Sequence, residues 1–221
     1  MQGSILQWLR SFLDQRIQRV MVDGQMSDHC DVTSGVPQGT VMGPIMFLIF
    51  INDLPSVVNS PCKLFADDLV IYRQINNQED QITLQRDMDR LADWESKWGM
   101  QFHPDKCEHI MITRKRKPLR TTYSLRGHAL KTVESAKYLG VTITSKLDWK
   151  EHIENTTKKA SKTLGFLRRN LKNAAEKTRE TAYKTLIRPQ VEYCAGIWDP
   201  HTKELTNRIE MTQRRAAQFV L

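Results

Sequence analysis

Apolar positions recur with different spacings along the chain, and the changes of spacing divide it into elements. Ile5, Trp8, Leu9 and Phe12 fall at three- and four-residue steps after a Gly-Ser start, which predicts a helix over residues 4–15. The segment IQRVMV at 17–22 alternates and runs into Asp23-Gly24, a strong hairpin signal, with the returning strand expected from Val32 onward. Residues 43–54 are apolar enough for a buried helix, and Pro44 suits its first turn. CKLFA at 62–66 and LVIY at 69–72 flank Asp67-Asp68, predicting a second hairpin with two carboxylates at its apex. Leu84, Met88, Leu91, Trp94 and Trp98 form a helical stripe within residues 79–98, which Gly99 ends.

Short strands are expected around residues 109–113, 123–125 and 138–143, with the basic turn RKRKPLR at 114–120 between the first two. After Leu147 the pattern is helical throughout. Ile153, Ala160, Leu164 and Leu167 line a first helix; Ala175, Ala182, Tyr183 and Leu186 line a second, bounded by Pro189; Leu205, Ile209, Ala216 and Phe219 line a third. The fold class is therefore α+β, with a soft boundary near residues 145–148 separating a mixed region, 1–146, from a helical one, 147–221. The tryptophans lie mostly on these stripes, where core packing is the ordinary explanation.

Charge changes this picture more than composition does. The net charge is +8, and residues 146–188 hold twelve Lys/Arg against five Asp/Glu, which favours a polyanionic partner, nucleic acid first. Cys30, Cys62, Cys107 and Cys194 lie far apart and form no C-x-x-C pair, so neither a zinc site nor a disulfide framework is indicated. The six histidines have no ligand spacing. The longest apolar run is interrupted by Gly43-Pro44 and falls short of the ~18 residues of a membrane span. With no secretory signal at the N-terminus, an intracellular address is the default.

Two stretches carry candidate chemistry. Adjacent carboxylates at Asp67-Asp68 cannot both be desolvated without a counter-charge, and a divalent cation such as Mg²⁺ resolves that conflict; the plain alternative is a solvated turn. In SGVPQGTVMGP, residues 34–44, three glycines and two prolines fix an irregular backbone before the apolar helix. Gly39 leaves room for an approach to the main chain, and Gln38 offers an amide with donor and acceptor.

SGVPQGTVMGP, FLIFINDLP and LFADDLVIY, in that order and spacing, resemble the reverse transcriptases of non-LTR (LINE-like) retrotransposons, nearest to the CR1/Jockey-like groups. WGMQFHPDKCEHIMIT and KYLGVTI resemble the family's next palm motif and its primer grip. VEYCAGIWDP and IEMTQRRAAQF resemble its thumb and the segment beyond. The resemblance implies part of a right-hand polymerase palm, an antiparallel sheet with packed helices, over residues 1–146, then a helical thumb-like region over 147–221. It implies that Asp67 and Asp68 bind metal and catalyse, using Mg²⁺ or Mn²⁺, with Asp67 the more direct ligand. It further implies that Pro37, Gln38 and Gly39 contact the template–nucleotide pair, and that Lys106 lies near the leaving pyrophosphate, although a solvated lysine is an equal alternative. Tyr138, Leu139 and Gly140 would hold the primer terminus, and Lys158, Lys159, Lys162, Arg168, Arg169 and Lys172 would grip phosphates. Implied partners are an RNA template, a DNA primer and deoxynucleoside triphosphates, with no membrane; the family makes a nuclear location reasonable, and oligomeric state is left open.

The family's earlier palm motif, which supplies a further aspartate, and its fingers are expected upstream of the Ser4 helix, and the family's chain continues beyond Leu221. This chain is therefore expected to be truncated at both ends and to have little or no polymerase activity alone. The alternative is a non-catalytic remnant of a retrotransposon protein whose basic helices still bind nucleic acid.

Overall fold

The Ser4 helix forms as its spacing predicts, as α1 (Ser4–Leu13), but its apolar stripe is not buried: Trp8 stacks on Phe12 with ring centroids 5.3 Å apart and remains half exposed. This computed structural model describes residues 3–221, which pack as two units, one ending at Gln101 and the other Phe102–Leu221. In the first unit a long interrupted hairpin follows α1. Its outer rungs are β1 (Ile17–Gln18) with β4 (Cys30–Asp31), and its inner rungs are β2 (Met21–Val22) with β3 (Gln25–Met26). Asp23 and Gly24 turn it with φ of 50° and 79°, the left-handed pair a type I′ turn requires.

Next come α2 (Met42–Ile51), a hairpin of β5 (Cys62–Phe65) and β6 (Asp68–Ile71), and α3 (Gln78–Trp98). α3 starts at a reciprocal cap. The Asn77 side chain accepts from the Asp80 N–H at 3.0 Å, and the Asp80 carboxylate accepts from the Asn77 N–H. It ends on Gly99 at φ 65°, as expected. Ile51, Leu54, Met88, Leu91 and Trp94 are buried.

α2 departs from expectation. Only Gly43 and Ile51 are buried, whereas Ile45, Leu48 and Ile49 are 46%, 58% and 62% exposed. The helix is apolar on every side, and α3 meets it near its end, where Phe50 packs edge-on against Trp94 and Trp98. An apolar run is buried only as far as the chain supplies a cover.

The second unit contains β7 (Glu108–Ile110), β8 (Ser124–Leu125), β9 (His128–Ala129), β10 (Lys131–Val133), β11 (Ser135–Tyr138) and β12 (Val141–Thr144). β8–β9 and β11–β12 are antiparallel hairpins, but β7 and β10 pair in parallel. The expected antiparallel sheet is thus present among the described residues as separate two-stranded ladders, one of them parallel.

Helices follow: α4 (Lys150–Asn170), α5 (Glu176–Ala182), a π-helical turn (Tyr183–Ile187), α6 (Arg188–Glu192), α7 (Ala195–Trp198) and α8 (Lys203–Val220). Two buried clusters hold them. Ala160, Leu164, Leu167, Ile187, Val191, Ala216 and Phe219 form one; Val141, Ile153, Trp198 and Leu205 form the other. The first and third helical stripes are confirmed by these clusters. The second needs correction on two counts, because Ala175 and Leu186 are exposed and Pro189 does not bound the helix. Proline lacks an N–H and crowds the carbonyl one turn back, and the π turn just before it opens that turn. The extra residue shifts the apolar face by one position, from Leu186 to Ile187, which is 1% exposed.

Candidate functional site

The register of β5 and β6 pairs Phe65 with Asp68, so the two-residue turn is Ala66-Asp67 and Asp68 opens the returning strand. The apex therefore carries one carboxylate in the turn and one beside it, a shift of one residue from the expected Asp67-Asp68 turn. Ala66 adopts φ 50°, a conformation that costs a non-glycine residue about 1 kcal/mol. Both aspartates are exposed, and among the described residues neither accepts a hydrogen bond nor pairs with a cation. Two adjacent, uncompensated hard-oxygen donors suit a divalent cation. No group of three or more His, Cys, Asp or Glu residues converges among the described residues, so this pair could supply only part of a coordination sphere.

The root of this hairpin is held by a residue that lies outside the sequence motifs. Asp87 of α3 is fully buried and accepts the N–H groups of Asn59 and Ser60, both at 2.8 Å, with Arg90 at 3.1 Å. Burial works to raise its pKa, but these hydrogen bonds and the Arg90 charge outweigh it, and the carboxyl lies below the ordinary carboxylate range. The Tyr72 N–H donates to the Pro61 carbonyl and continues the ladder. A second acid, Asp53, accepts the Trp94 indole N–H at 2.9 Å. The sequence did carry a signal for Asp87: it falls three after Leu84 and four before Leu91, on the apolar face of α3.

Pro37, Gln38 and Gly39 lie in the same unit as the hairpin. Arg16 fixes the start of their loop by donating to the carbonyls of Ser34 and Gly35 at 3.2 and 2.6 Å. The Thr40 hydroxyl closes it, donating to the Pro37 carbonyl at 2.8 Å and accepting the Gly43 N–H at 3.1 Å. A Cβ at Gly43 would lie 2.8 Å from the Pro37 oxygen, so only glycine allows this closure. Gln38 and Gly39 remain exposed, and a side chain at Gly39 would meet nothing within 4 Å. The loop is rigid at both ends and open at the centre.

The remaining candidates belong to the second unit. Lys106 is exposed at the end of a 3-10 turn, Pro104–Lys106. Tyr138 pairs with Val141, which makes Leu139-Gly140 a type I′ turn with φ of 45° and 84°. The hairpin is docked by buried groups. The Thr142 N–H donates to His152 Nδ1 at 3.2 Å, and the imidazole packs against Trp198 at 5.1 Å, where burial lowers its pKa. The six basic candidates are all exposed, but they do not form one site. Lys158 and Lys162 line a groove between α4 and α8, together with Thr157, Ser161, Arg208 and Arg215. Lys159, Arg169 and Lys172 do not line it, and Arg168 donates to the Arg215 carbonyl at 2.9 Å. Arg208 is partly compensated by Glu154 at 2.7 Å. The α8 arginines were not anticipated, although Arg208 and Arg215 are seven apart and so share a helix face.

Residues 2–143 match the family model described as reverse transcriptase (RNA-dependent DNA polymerase). The chain is 29% identical over 225 residues to the probable RNA-directed DNA polymerase from transposon BS of Drosophila melanogaster, covering 96% of this chain and 25% of that protein. It is 26% identical to the RNA-directed DNA polymerase from mobile element jockey of the same species, covering 96% and 24%. The Pol polyprotein from type-1 retrotransposable element R1 of Nasonia vitripennis is 28% identical, over 84% of this chain and 59% of that protein. The chain spans about a quarter of the length of the first two of these relatives. The Drosophila relatives align over nearly all of it, helical region included, and the family match takes in the carboxylate hairpin and both turns: this chain belongs to the reverse transcriptase family, among the RNA-directed DNA polymerases of non-LTR retrotransposons.

Proposed function

We propose that this chain carries part of the palm, residues 1–146, and the thumb, residues 147–221, of an RNA-directed DNA polymerase that extends a DNA primer on an RNA template. The observation that supports this best is the β5–β6 hairpin, with two uncompensated carboxylates at a strained tip and a root fixed by buried Asp87. Divalent ions, Mg²⁺ or Mn²⁺, would be held by Asp67 and Asp68, and would acidify the primer 3′-hydroxyl and neutralise charge on the pyrophosphate. The primer 3′-oxygen bonds to the α-phosphorus of the incoming nucleotide as the bond to pyrophosphate breaks, and the hydroxyl proton passes to solvent water. In this scheme Gln38 and Gly39 present the open part of a fixed loop to the base pair, and Lys106 offers a positive charge to the departing pyrophosphate. Leu139-Gly140 sets the primer terminus. Lys158, Lys162, Arg208 and Arg215 hold phosphates along the α4–α8 groove, with Lys159, Arg168, Arg169 and Lys172 as outlying contacts.

Two carboxylates without a third ligand hold metal weakly, so the 221-residue chain by itself is expected to show little or no extension. Primer extension on an RNA template with Mg²⁺ and then Mn²⁺, comparing wild type with the Asp67→Asn, Asp68→Asn double mutant, tests this. Extension by wild type alone would uphold the site and overturn the inactivity. Manganese binding followed by electron paramagnetic resonance tests the site directly: weak binding lost in the double mutant is expected, and equal binding by both proteins would overturn the assignment.

A non-catalytic, nucleic-acid-binding role is favoured by the α4–α8 groove alone. Binding that needs no metal and survives Asp67→Asn would favour that second reading. With four cations engaged, log K should fall with log salt at a slope of about −3 to −4.

A further inference from the structure

Tyr193 reaches back across 54 residues to the Leu139-Gly140 turn. Its phenol donates to the Leu139 carbonyl at 2.9 Å, and its ring lies where a Cβ at Gly140 would come within 3.0 Å of Cε1. The backbone of Tyr193 is itself pinned on both sides. Its N–H donates to the Pro189 carbonyl at 3.1 Å, and its carbonyl accepts the Trp198 indole N–H at 2.7 Å. Cys194 then reverses the chain in the left-handed conformation, at φ 55°. Trp198 is buried with Val141, the residue that follows the turn. One short segment thus fixes the turn from above by a hydrogen bond and from behind through the core.

Core packing accounts for Trp198 but not for Tyr193, which is half exposed and gains little by burial. An exposed phenol held on the tip of a hairpin, with its peptide anchored at both ends, is suited to setting where that tip lies. A phenol is protonated at neutral pH and so remains a donor to the Leu139 carbonyl.

We propose that Tyr193 is a positioning residue for the primer terminus, holding the Leu139-Gly140 turn where it meets the 3′ end. This rests on the reading of that turn as the primer-holding element. Without the hydrogen bond the turn keeps its type I′ form but loses the restraint on its carbonyl, so recognition of a 3′ end weakens while general phosphate binding does not.

The test measures, by fluorescence anisotropy on the full chain, the affinity for a primer–template with a recessed 3′-hydroxyl relative to a blunt duplex of equal length. Wild type should prefer the recessed end. Tyr193→Phe, which removes only the hydroxyl, should reduce that preference about threefold to tenfold and leave blunt-duplex affinity unchanged. Gly140→Ala, strained at φ 84° and pressed on the Tyr193 ring, should reduce it at least as much; circular dichroism and thermal melting establish that both variants fold. Loss in Gly140→Ala with full preference in Tyr193→Phe would overturn the role of Tyr193 and leave the turn's function standing. No preference in wild type, or full preference in Gly140→Ala, would overturn the reading of the turn and the proposal with it.

Discussion

Asp87 and His152 show how single buried polar groups hold the two candidate hairpins. Asp87 satisfies two backbone N–H groups just before β5. Asp87→Ala should therefore cost about 2–3 kcal/mol in urea unfolding, since it leaves buried donors unpaired, whereas Asp89→Ala on the exposed face should change stability by less than about 0.5 kcal/mol. Equal effects would remove Asp87 from this role. His152 acts in the opposite charge state. Its pKa is lowered by burial, so it is neutral in the fold, and the unfolded chain takes up a proton first as pH falls below about 6.5. The contribution of His152 should be constant above that value, be lost as pH drops toward the folded pKa, and level off below it, where the carboxylates with lowered pKa, Asp87 among them, take over the decline. His109, whose pKa burial also lowers, contributes in the same way as His152. His152→Gln should flatten the dependence between pH 7 and 5 in urea titrations at fixed temperature. An unchanged slope would show that the imidazole is not the titrating group.

The elements show where periodicity is informative and where it stops. α3 and α4 were legible because each carries a one-sided stripe: Leu84, Met88, Leu91 and Trp94 for one, closed by Gly99, and Ile153, Ala160, Leu164 and Leu167 for the other. The Asp23-Gly24 turn was legible because glycine at the second position marks a left-handed pair, whereas Leu139-Gly140 lay inside a stretch read as one strand, 138–143, and only the family resemblance marked it as a turn. The turn at Ala66-Asp67 was read one residue late, since an alanine at φ 50° leaves no such mark. The parallel pairing of β7 with β10 joins segments more than twenty residues apart, which no local pattern encodes. The second helical stripe failed because a 3.6-residue period assumes an uninterrupted α-helix, and the π turn at Tyr183–Ile187 adds a residue. That register has a direct measure. Ile187→Ala should cost about 3 kcal/mol, as for a large buried aliphatic residue, and Leu186→Ala less than about 1 kcal/mol. The reverse order in chemical denaturation would restore the unbroken helix and place Leu186 in the core.

At the level of the whole molecule, the two units differ in charge and in how well each covers its apolar surface. Residues 1–101 contain eight Lys/Arg against thirteen Asp/Glu, and residues 102–221 contain twenty-five against twelve, so the basic surplus belongs entirely to the second unit. The second unit also holds two buried clusters of its own, whereas the first exposes Trp8, Ile17, Val20, Met21, Leu48 and Ile49. Exposed apolar residues in such number promote association in a free chain. Two kinds of association can follow, and salt separates them. Contact between an acidic surface of one copy and a basic surface of another weakens as ionic strength rises, because the screening length shortens to about 3 Å at 1 M. Contact through α2 persists or strengthens in sulfate, which favours apolar burial. The chain should therefore self-associate with rising concentration in sedimentation equilibrium, and do so at 0.1 M and 1 M salt alike. Leu48→Glu with Ile49→Lys should restore the monomer without lowering the melting temperature, since neither side chain is buried in the chain itself. Dissociation of the wild type by salt alone would assign the association to charge, and a large fall in melting temperature in the double variant would show that α2 is covered within the monomer after all.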